Sequence, residues 1–371
     1  MTSRRIIKFK LILFQNITAL TIIGLWFVLN DLIFFIQTGD LLSSLRILFY
    51  LRQPNNSYEL FYSNFTEFII FGSIFTLITI ELFRKYNPEE TSRKLARVYY
   101  NHAVIIGYNN IGKRIANYFK ENNKKFVIID KDKNRVLDLI EAEEPVINDN
   151  VLNIKTLLEA GIDKAKAVYV MSDDLELQFV VNSYIRQINS YCKLVCRIFE
   201  DDIAEIISKM YDAYVISTSK YAANIILDKI KKKECQNILL IGINHIISRL
   251  VKDLSKISKI KLNVIGLNAK LLDEMDMSED SVIIGDPKDE NVLERVNIRE
   301  IDFVFNSDED PTNSILITKK IRDYNKRCKI YSRFFQDTVA EVLEHPPFNC
   351  KVISSSKYAL KIMEKKEMLN F

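Results

Sequence analysis

The sequence predicts an α/β protein of two tandem parallel-sheet domains preceded by a two-helix transmembrane hairpin. Three observations predict it. An apolar strand runs into Gly-x-Asn near Ile105 and again near Leu240, and each time an amphipathic stretch follows. The two copies stay in register: Gly107 and Gly242 stand 135 positions apart, Ser172-Asp173 and Ser307-Asp308 135, Arg197 and Arg333 136, and Ile216-Ser-Thr-Ser-Lys-Tyr-Ala222 and Ile353-Ser-Ser-Ser-Lys-Tyr-Ala359 137. Ahead of both copies, Leu11 to Asn30 carries no charge at all.

Leu, Ile, Val, Phe and Trp26 dominate that first run, which is long enough for a helix to cross a hydrocarbon core of ~30 Å. A second run, Phe65 to Phe83, is just long enough to do the same, so the spans fall at about 11–36 and 65–83. Arg4, Arg5, Lys8 and Lys10 precede the first span, and Arg84, Lys85, Arg93, Lys94 and Arg97 follow the second. Only Arg46 and Arg52 lie between them. The positive-inside bias therefore places both termini in the cytoplasm and makes the chain multi-pass in the cell membrane. No small-residue cleavage site follows the first run, which argues against a removed signal peptide.

Between the spans, Leu41, Leu42, Leu45, Leu48 and Leu51 recur at helical spacing. That stripe suits an amphipathic helix at the interface or packed between the spans, and equally an ordinary loop helix. Asp31, Glu67 and Glu81 sit at or near membrane depth, where an ionisable group is a functional candidate unless it is solvated among the headgroups. The charged stretch from Asn87, with Pro88, reads as a linker. The expected organisation is a membrane hairpin over 1–86, a linker over 87–101, a first nucleotide-binding domain over 102–233 and a second, degenerate one over 236–365.

Each copy alternates short runs of Val, Ile, Leu and Phe with longer amphipathic segments, the pattern of strands crossing over through helices into a parallel sheet. His102 to Gly107 reads as a buried strand, and Gly107-Tyr-Asn-Asn-Ile-Gly112 as a Rossmann-like turn into a helix that begins at Asn110. In such a turn the first glycine makes the bend, the second admits the pyrophosphate and the third lets helix pack on strand. Asn109 replaces the middle one. The helix start supplies N–H groups and a positive dipole end for phosphates. Phe126 to Asp130 reads as the second strand, its carboxylate eighteen positions after Gly112, close to the spacing expected for a ribose-binding acid. A lone carboxylate there favours NAD(H) or another adenosine nucleotide over NADP(H). Ser172 and Asp173 follow the strand Val168–Met171, at the sheet end that borders the crevice. The second copy lacks the third glycine, at Ile247, and its second strand ends Ile265-Gly266-Leu267-Asn268 without a carboxylate. It is expected to be structural, or to bind something else.

Composition narrows the classes. The balance of 52 basic and 48 acidic residues leaves a net charge of +4, so no large basic face for nucleic acid is implied. Five cysteines without a CxxC pair argue for reduced thiols, and three scattered histidines argue against a zinc site. His102 at a strand start, far from the crevice, reads as structural.

At these residues the chain resembles the regulator-of-conductance (RCK / TrkA-N) family, the nucleotide-binding domains of potassium channels and of Trk and Ktr potassium-uptake subunits. The resemblance is carried by His102 to Gly112, Asp130-Lys-Asp132, Asn150 ahead of Ala160-Gly161-Ile162, Ser172-Asp173-Asp174, Arg197 and Ile216-Ser217, with Gly285-Asp286 and Arg333 recurring more loosely in the second copy. It implies that Gly107, Tyr108, Asn109, Asn110, Ile111, Gly112, Asp130, Lys131, Asn150, Ser172, Asp173 and Arg197 contribute to an NAD(H) or ATP/ADP pocket. It also implies a homo-oligomer, either a dimer or a tetramer or gating ring, together with the lipid membrane and a potassium-conducting subunit as partners. Two spans ahead of such a domain resemble the pore helices of a ligand-gated potassium channel. The chain departs from that pattern in lacking a TVGYG-like filter; Thr38-Gly39-Asp40 is the nearest trace. It also lacks the family's smaller lobe after either repeat.

The expected function is a membrane-anchored, non-enzymatic nucleotide sensor of potassium transport, either a divergent channel or a regulatory subunit. The alternatives are a membrane-tethered NAD-dependent oxidoreductase and a scaffold with vestigial sites. Against the oxidoreductase, the second unit copies the first where a dehydrogenase has a distinct substrate domain.

Overall fold

The computed structural model describes residues 17–267, 281–308, 310–334 and 337–371. Arg4, Arg5, Lys8, Lys10, the start of the first apolar run and Asn268 lie outside the described residues, as do the side chains of Glu81, Arg84 and Lys85.

Two long helices, α1 (Ile17–Thr38) and α3 (Ser57–Tyr86), flank a short one, α2 (Leu41–Leu48). The long pair runs antiparallel. Trp26 stacks on Tyr62 and packs on Phe65, while Phe34, further along α1, packs edge-on against Tyr58, earlier on α3. Trp26 Nε1 donates to Thr66 at 3.0 Å, and Tyr58 donates to Asn30 at 2.7 Å. Asp40 caps α2, accepting from the Ser43 N–H, as its place before a helical run favours. The leucine stripe behaves differently from its spacing. Ile47 and Leu48 are buried with Phe34 and Tyr62, whereas Leu41 and Leu42 are exposed and Leu51 lies beyond the helix end.

Of the acids expected at membrane depth, Asp31 accepts from Ser44 at 3.0 Å and Glu67 is exposed. The one sequence spacing missed is Glu59. It is buried, paired with Arg52 at 2.7 Å and bonded to the Asn55 N–H at 2.7 Å, so it fastens the loop after α2 to the start of α3.

The linker is an ordered helix, α4 (Pro88–Val98), with proline at its first turn, where a missing N–H costs nothing. Its Leu95 and Ala96 are buried in the core of the first domain, and Arg93 reaches Asp149 at 3.0 Å and Glu159 at 3.3 Å.

Two α/β domains follow. The first comprises β1 (His102–Ile106), α5 (Asn110–Glu121), β2 (Phe126–Ile129), α6 (Lys133–Glu141), β3 (Val146–Ile147), α7 (Ile154–Glu159), β4 (Ala165–Val170), α8 (Leu175–Ile188), β5 (Lys193–Arg197), α9 (Asp201–Tyr211), β6 (Tyr214–Ile216) and α10 (Thr218–Lys232). The second repeats it with β7 (Asn237–Ile241), α11 (His245–Leu254), β8 (Lys261–Gly266), β9 (Val282–Ile284), α12 (Glu290–Arg295), β10 (Phe303–Asn306), α13 (Pro311–Tyr324), β11 (Lys329–Arg333), α14 (Asp337–Glu344), β12 (Cys350–Ile353) and α15 (Ser355–Lys365). Both sheets are wholly parallel and have the same order, β3-β2-β1-β4-β5-β6 and β9-β8-β7-β10-β11-β12. Each order reverses beside its first strand, which opens a crevice at the strand ends.

The structure corrects one pairing of the repeats. Met171 donates to the Ile106 carbonyl, and Ser307 makes the same bond to Ile241, both at 2.8 Å. Ser307 therefore matches Met171, and Asp308 matches Ser172. One extra residue lies between α11 and β8, because the Gly107 N–H bonds Ile129 and the Gly242 N–H bonds Ile265, both at 2.9 Å.

The last helices of the repeats are exchanged. α10 of the first repeat packs Ala222, Ile226 and Ile230 onto the second sheet, against Leu240, Phe303 and Tyr331. α15 of the second packs Ala359 and Met363 onto the first sheet, against Ile105, Ile115 and Tyr169. Residues after α15 continue on that face: Tyr169 donates to the Met368 carbonyl at 2.9 Å, and Phe371 packs edge-on against Phe119.

Candidate nucleotide crevice and the family of the chain

Gly107 leaves β1 with φ +94°, where a side chain is strained, and a Cβ there would meet the Met171 carbonyl carbon at 3.4 Å. Gly112 is needed for space. A Cβ on it would stand 2.1 Å from the Gly107 oxygen, so its absence lets α5 start directly over the turn. Asn109, at the place of the missing middle glycine, caps α5. Its Oδ1 accepts from Ile111 and Gly112, each at 3.2 Å, and its Nδ2 donates to the Met171 carbonyl at 2.5 Å. Such a cap contributes ~1 kcal/mol and ties the turn to the end of β4. It also takes up two of the first-turn N–H groups that the sequence assigns to phosphate, so those two are already satisfied.

Asp130, at the end of β2, is nearly buried. Its Oδ2 accepts from the Tyr108 N–H at 2.6 Å and its Oδ1 from the Asp132 N–H at 2.8 Å. A carboxylate has further lone pairs, so these bonds fix its position and leave acceptor capacity for hydroxyls.

The crevice over β1, β2 and β4 has a volume of about 370 Å³ and brings together seven of the sequence-assigned residues: Gly107, Asn109, Asp130, Lys131, Asn150, Ser172 and Asp173. The other five stand elsewhere. Asn110, Ile111 and Arg197 line a neighbouring cavity between the repeats. Gly112 is buried under the turn, and the Tyr108 ring packs against the core beneath α5. Arg197 is held at the border of the two spaces by Asp173, 2.5 Å away. Sequence reasoning gave no site role to Arg135, Asp149, Val151, Leu152, Asp174 and Leu177, which line the crevice with Ile106 and Ile129. Asp149 and Val151 flank Asn150 and could have been read with it. Arg135 had no such signal.

The second repeat keeps the turn and loses the space. Gly242 has φ +102°, and Asn244 caps α11 through Ile246 and Ile247 while donating to Ser307, as Asn109 does in the first repeat. Gly266 stands where Asp130 would be, and a Cβ on it would fall 2.1 Å from Ile243 Cδ1. The side chain of Ile243 thus occupies the place beside the strand end, and the crevice is reduced to about 220 Å³.

Away from both crevices, His102 is fully buried and its Nε2 donates to the Ala160 carbonyl at 2.8 Å. Burial lowers its pKa below the ordinary histidine value. The five cysteines are free and buried.

The duplicated turn, sheet order and register agree with a profile match to the TrkA-N domain at residues 103–227 and again at 238–354. The chain belongs to the TrkA-N domain family. Among curated proteins, potassium channel protein 1 of Methanocaldococcus jannaschii is 32% identical over 120 residues, covering 30% of this chain and 34% of that protein. The chain thus spans about a third of that relative's length. Among solved structures, the GsuK channel superposes with a TM-score of 0.68 at 14% identity, covering 96% of this chain and 98% of that one. GsuK bound to ADP gives 0.65 at 14% over 98% and 99%, and the GsuK channel bound to NAD gives 0.63 at 12% over 97% and 85%. At these identities the likeness is one of fold. The two TrkA-N domains differ at the end of the second strand, where the first carries the Asp130 carboxylate and the second has Gly266.

Proposed function

We propose that this chain is a membrane-anchored nucleotide sensor of potassium transport, in which the first TrkA-N domain binds NAD(H) or an adenine nucleotide and the second serves as its paired, non-binding counterpart. The observation that carries this is the crevice of the first repeat, where Asp130 is held in place with acceptor capacity to spare. Solved structures of like fold are described as bound to ADP and to NAD, and a curated relative is a potassium channel protein. In this reading the ribose hydroxyls bond Asp130, the phosphates run over the Gly107 turn, and the adenine lies by Val151 and Leu152.

The membrane part of the proposal rests on α1 and α3. Leu20–Thr38 is long and apolar enough to cross a bilayer, and α3 exposes Phe68, Phe71, Phe75 and Ile78, a surface that water disfavours. Both termini then face the cytoplasm, by the distribution of basic residues. The short helix α2 between the two supports a divergent channel over a separate regulatory subunit, since a helix re-entering between spans is what presents a pore loop. That loop, locked by Arg52 and Glu59, differs from a TVGYG filter. Such a channel requires several copies of the chain.

Coupling runs through α4. Asp149 lines the crevice and is held by Arg93 of the helix that continues from α3, so a ligand that favours one setting of the Asp149–Leu152 wall favours one setting of the membrane helices. We read the protein as a sensor and not a dehydrogenase, because the second domain is a copy of the first.

The test is calorimetric titration of the full chain in detergent with NADH, NAD, ATP and ADP, beside Asp130→Ala. Saturable binding at one site per chain, lost in the variant and without turnover, is expected. Absence of binding by all four would leave a scaffold with an inherited turn. Consumption of NADH with added aldehydes or keto acids, or its formation from NAD with added alcohols or hydroxy acids, would favour the oxidoreductase. In liposome flux assays, Arg93→Met should keep binding and lose the response to it.

A further inference from the structure

The repeated segments Ile216 to Ala222 and Ile353 to Ala359 take no part in the crevice, yet they meet at one place. Between the repeats lies a cavity of about 450 Å³, onto which the first turns of α5, α10, α11 and α15 all open. None of these four helices, the shortest of ten residues, has an acid in its first turn, where acids ordinarily offset the dipole. Arg197 and Arg333, at the matched ends of β5 and β11, line the same space together with Arg135. Asp173 is the single acid among the described lining residues, and it is bonded to Arg197.

A second observation points to a ligand. Thr218 and Ser355 occupy matched positions in the two segments, line the cavity, and are 4% and 3% exposed. Their neighbours are engaged: Ser217 and Ser354 cap α10 and α15, while Ser219 bonds Ser217 and Ser356 accepts from Arg114. The Thr218 and Ser355 hydroxyls make no hydrogen bond with any described residue, and both residues line the cavity.

We propose that this cavity binds a phosphate-class oxyanion, held by both repeats at once through the Thr218 and Ser355 hydroxyls, the Arg197 and Arg333 guanidiniums and the surrounding helix starts. The chemistry fits the anion on each count. Guanidinium forks match tetrahedral oxyanion edges, hydroxyls donate to the remaining oxygens, and converging dipoles of one sign are relieved by a negative charge between them. Because the ligand touches both repeats, it favours the arrangement in which they are closed on each other. The anion is either free phosphate or the terminal phosphate of a nucleotide in the adjoining crevice, with which the cavity shares Asn109, Arg135 and Asp173.

The experiment is titration of the full chain in detergent with orthophosphate at constant ionic strength, chloride serving as the control. One saturable site per chain is expected. Arg333→Met and the double variant Thr218→Val/Ser355→Ala, each first shown to unfold at a temperature near that of the parent, should each weaken binding roughly tenfold or more. Repeating the titration with ATP or ADP present identifies the source: loss of the phosphate site means that a nucleotide's own phosphate fills it, and persistence means a free anion. Absence of saturable phosphate binding to the unsubstituted chain overturns the proposal, as does binding that both variants leave unchanged.

Discussion

The two crevices of this chain share a turn and a strand order, and three of the side-chain differences between them decide the room each leaves. Each has a positive-φ glycine, an asparagine cap and the same strand order. In the first, Tyr108, Gly112 and Asp130 leave a space with a carboxylate at its edge. In the second, Ile243, Ile247 and Gly266 stand at those places, and Ile243 folds into the room that Gly266 leaves. The turn is thus a requirement of the sheet-to-helix connection, and binding is a separate property added by the strand end.

The largest effect expected is from Gly112→Ala. A methyl group 2.1 Å from the Gly107 oxygen must push α5 away from the turn, costing about 3 kcal/mol and abolishing nucleotide binding. Thermal unfolding and calorimetry read both. Next, Asp130→Ala should weaken nucleotide binding by about 3 kcal/mol, roughly a hundredfold, through loss of charge-assisted hydrogen bonds. An affinity near that of the parent would erase the difference drawn between the crevices. Ile243→Ala should cost about 1 kcal/mol of stability as a half-buried truncation, yet the stoichiometry should stay at one nucleotide per chain, because no carboxylate is restored. Two sites per chain would show that Ile243 alone closes the second crevice.

The smallest effect is one of pH. His102 opens β1, whereas Asn237 opens the matching β7. With its folded pKa held below 6.5 by burial, the neutral imidazole contributes stability that is complete above the unfolded value and is lost as pH falls from there through the folded one. His102→Asn should flatten that dependence in urea titrations between pH 7 and pH 5. An unchanged slope would place the acid sensitivity elsewhere.

Much of this was legible in the sequence, for stated physical reasons. The duplication showed because indels of one residue leave motifs aligned, and Gly107, Gly112 and Asp130 showed because their backbone and charge requirements fix residue type. The one-residue offset before β8 did not, since the repeated Ser-Asp pair aligns more readily than the strand ends that are matched in space. Arg197 was read as a crevice residue because sequence spacing places it at a strand end but not on one side of it. The cap made by Asn109 was read only as a missing glycine. Nothing in the period of α10 or α15 says which sheet each covers. An amphipathic helix reports that it has a buried face, and not whose.

That exchange bears on how the protein is made. The first sheet is covered on one face by residues near 359–369, which leave the ribosome after the strands of both sheets. Its crevice strands can pair early, but that face stays bare until the second repeat has been synthesised and has folded back, so chaperone contact and premature chain release should fall hardest on the first repeat.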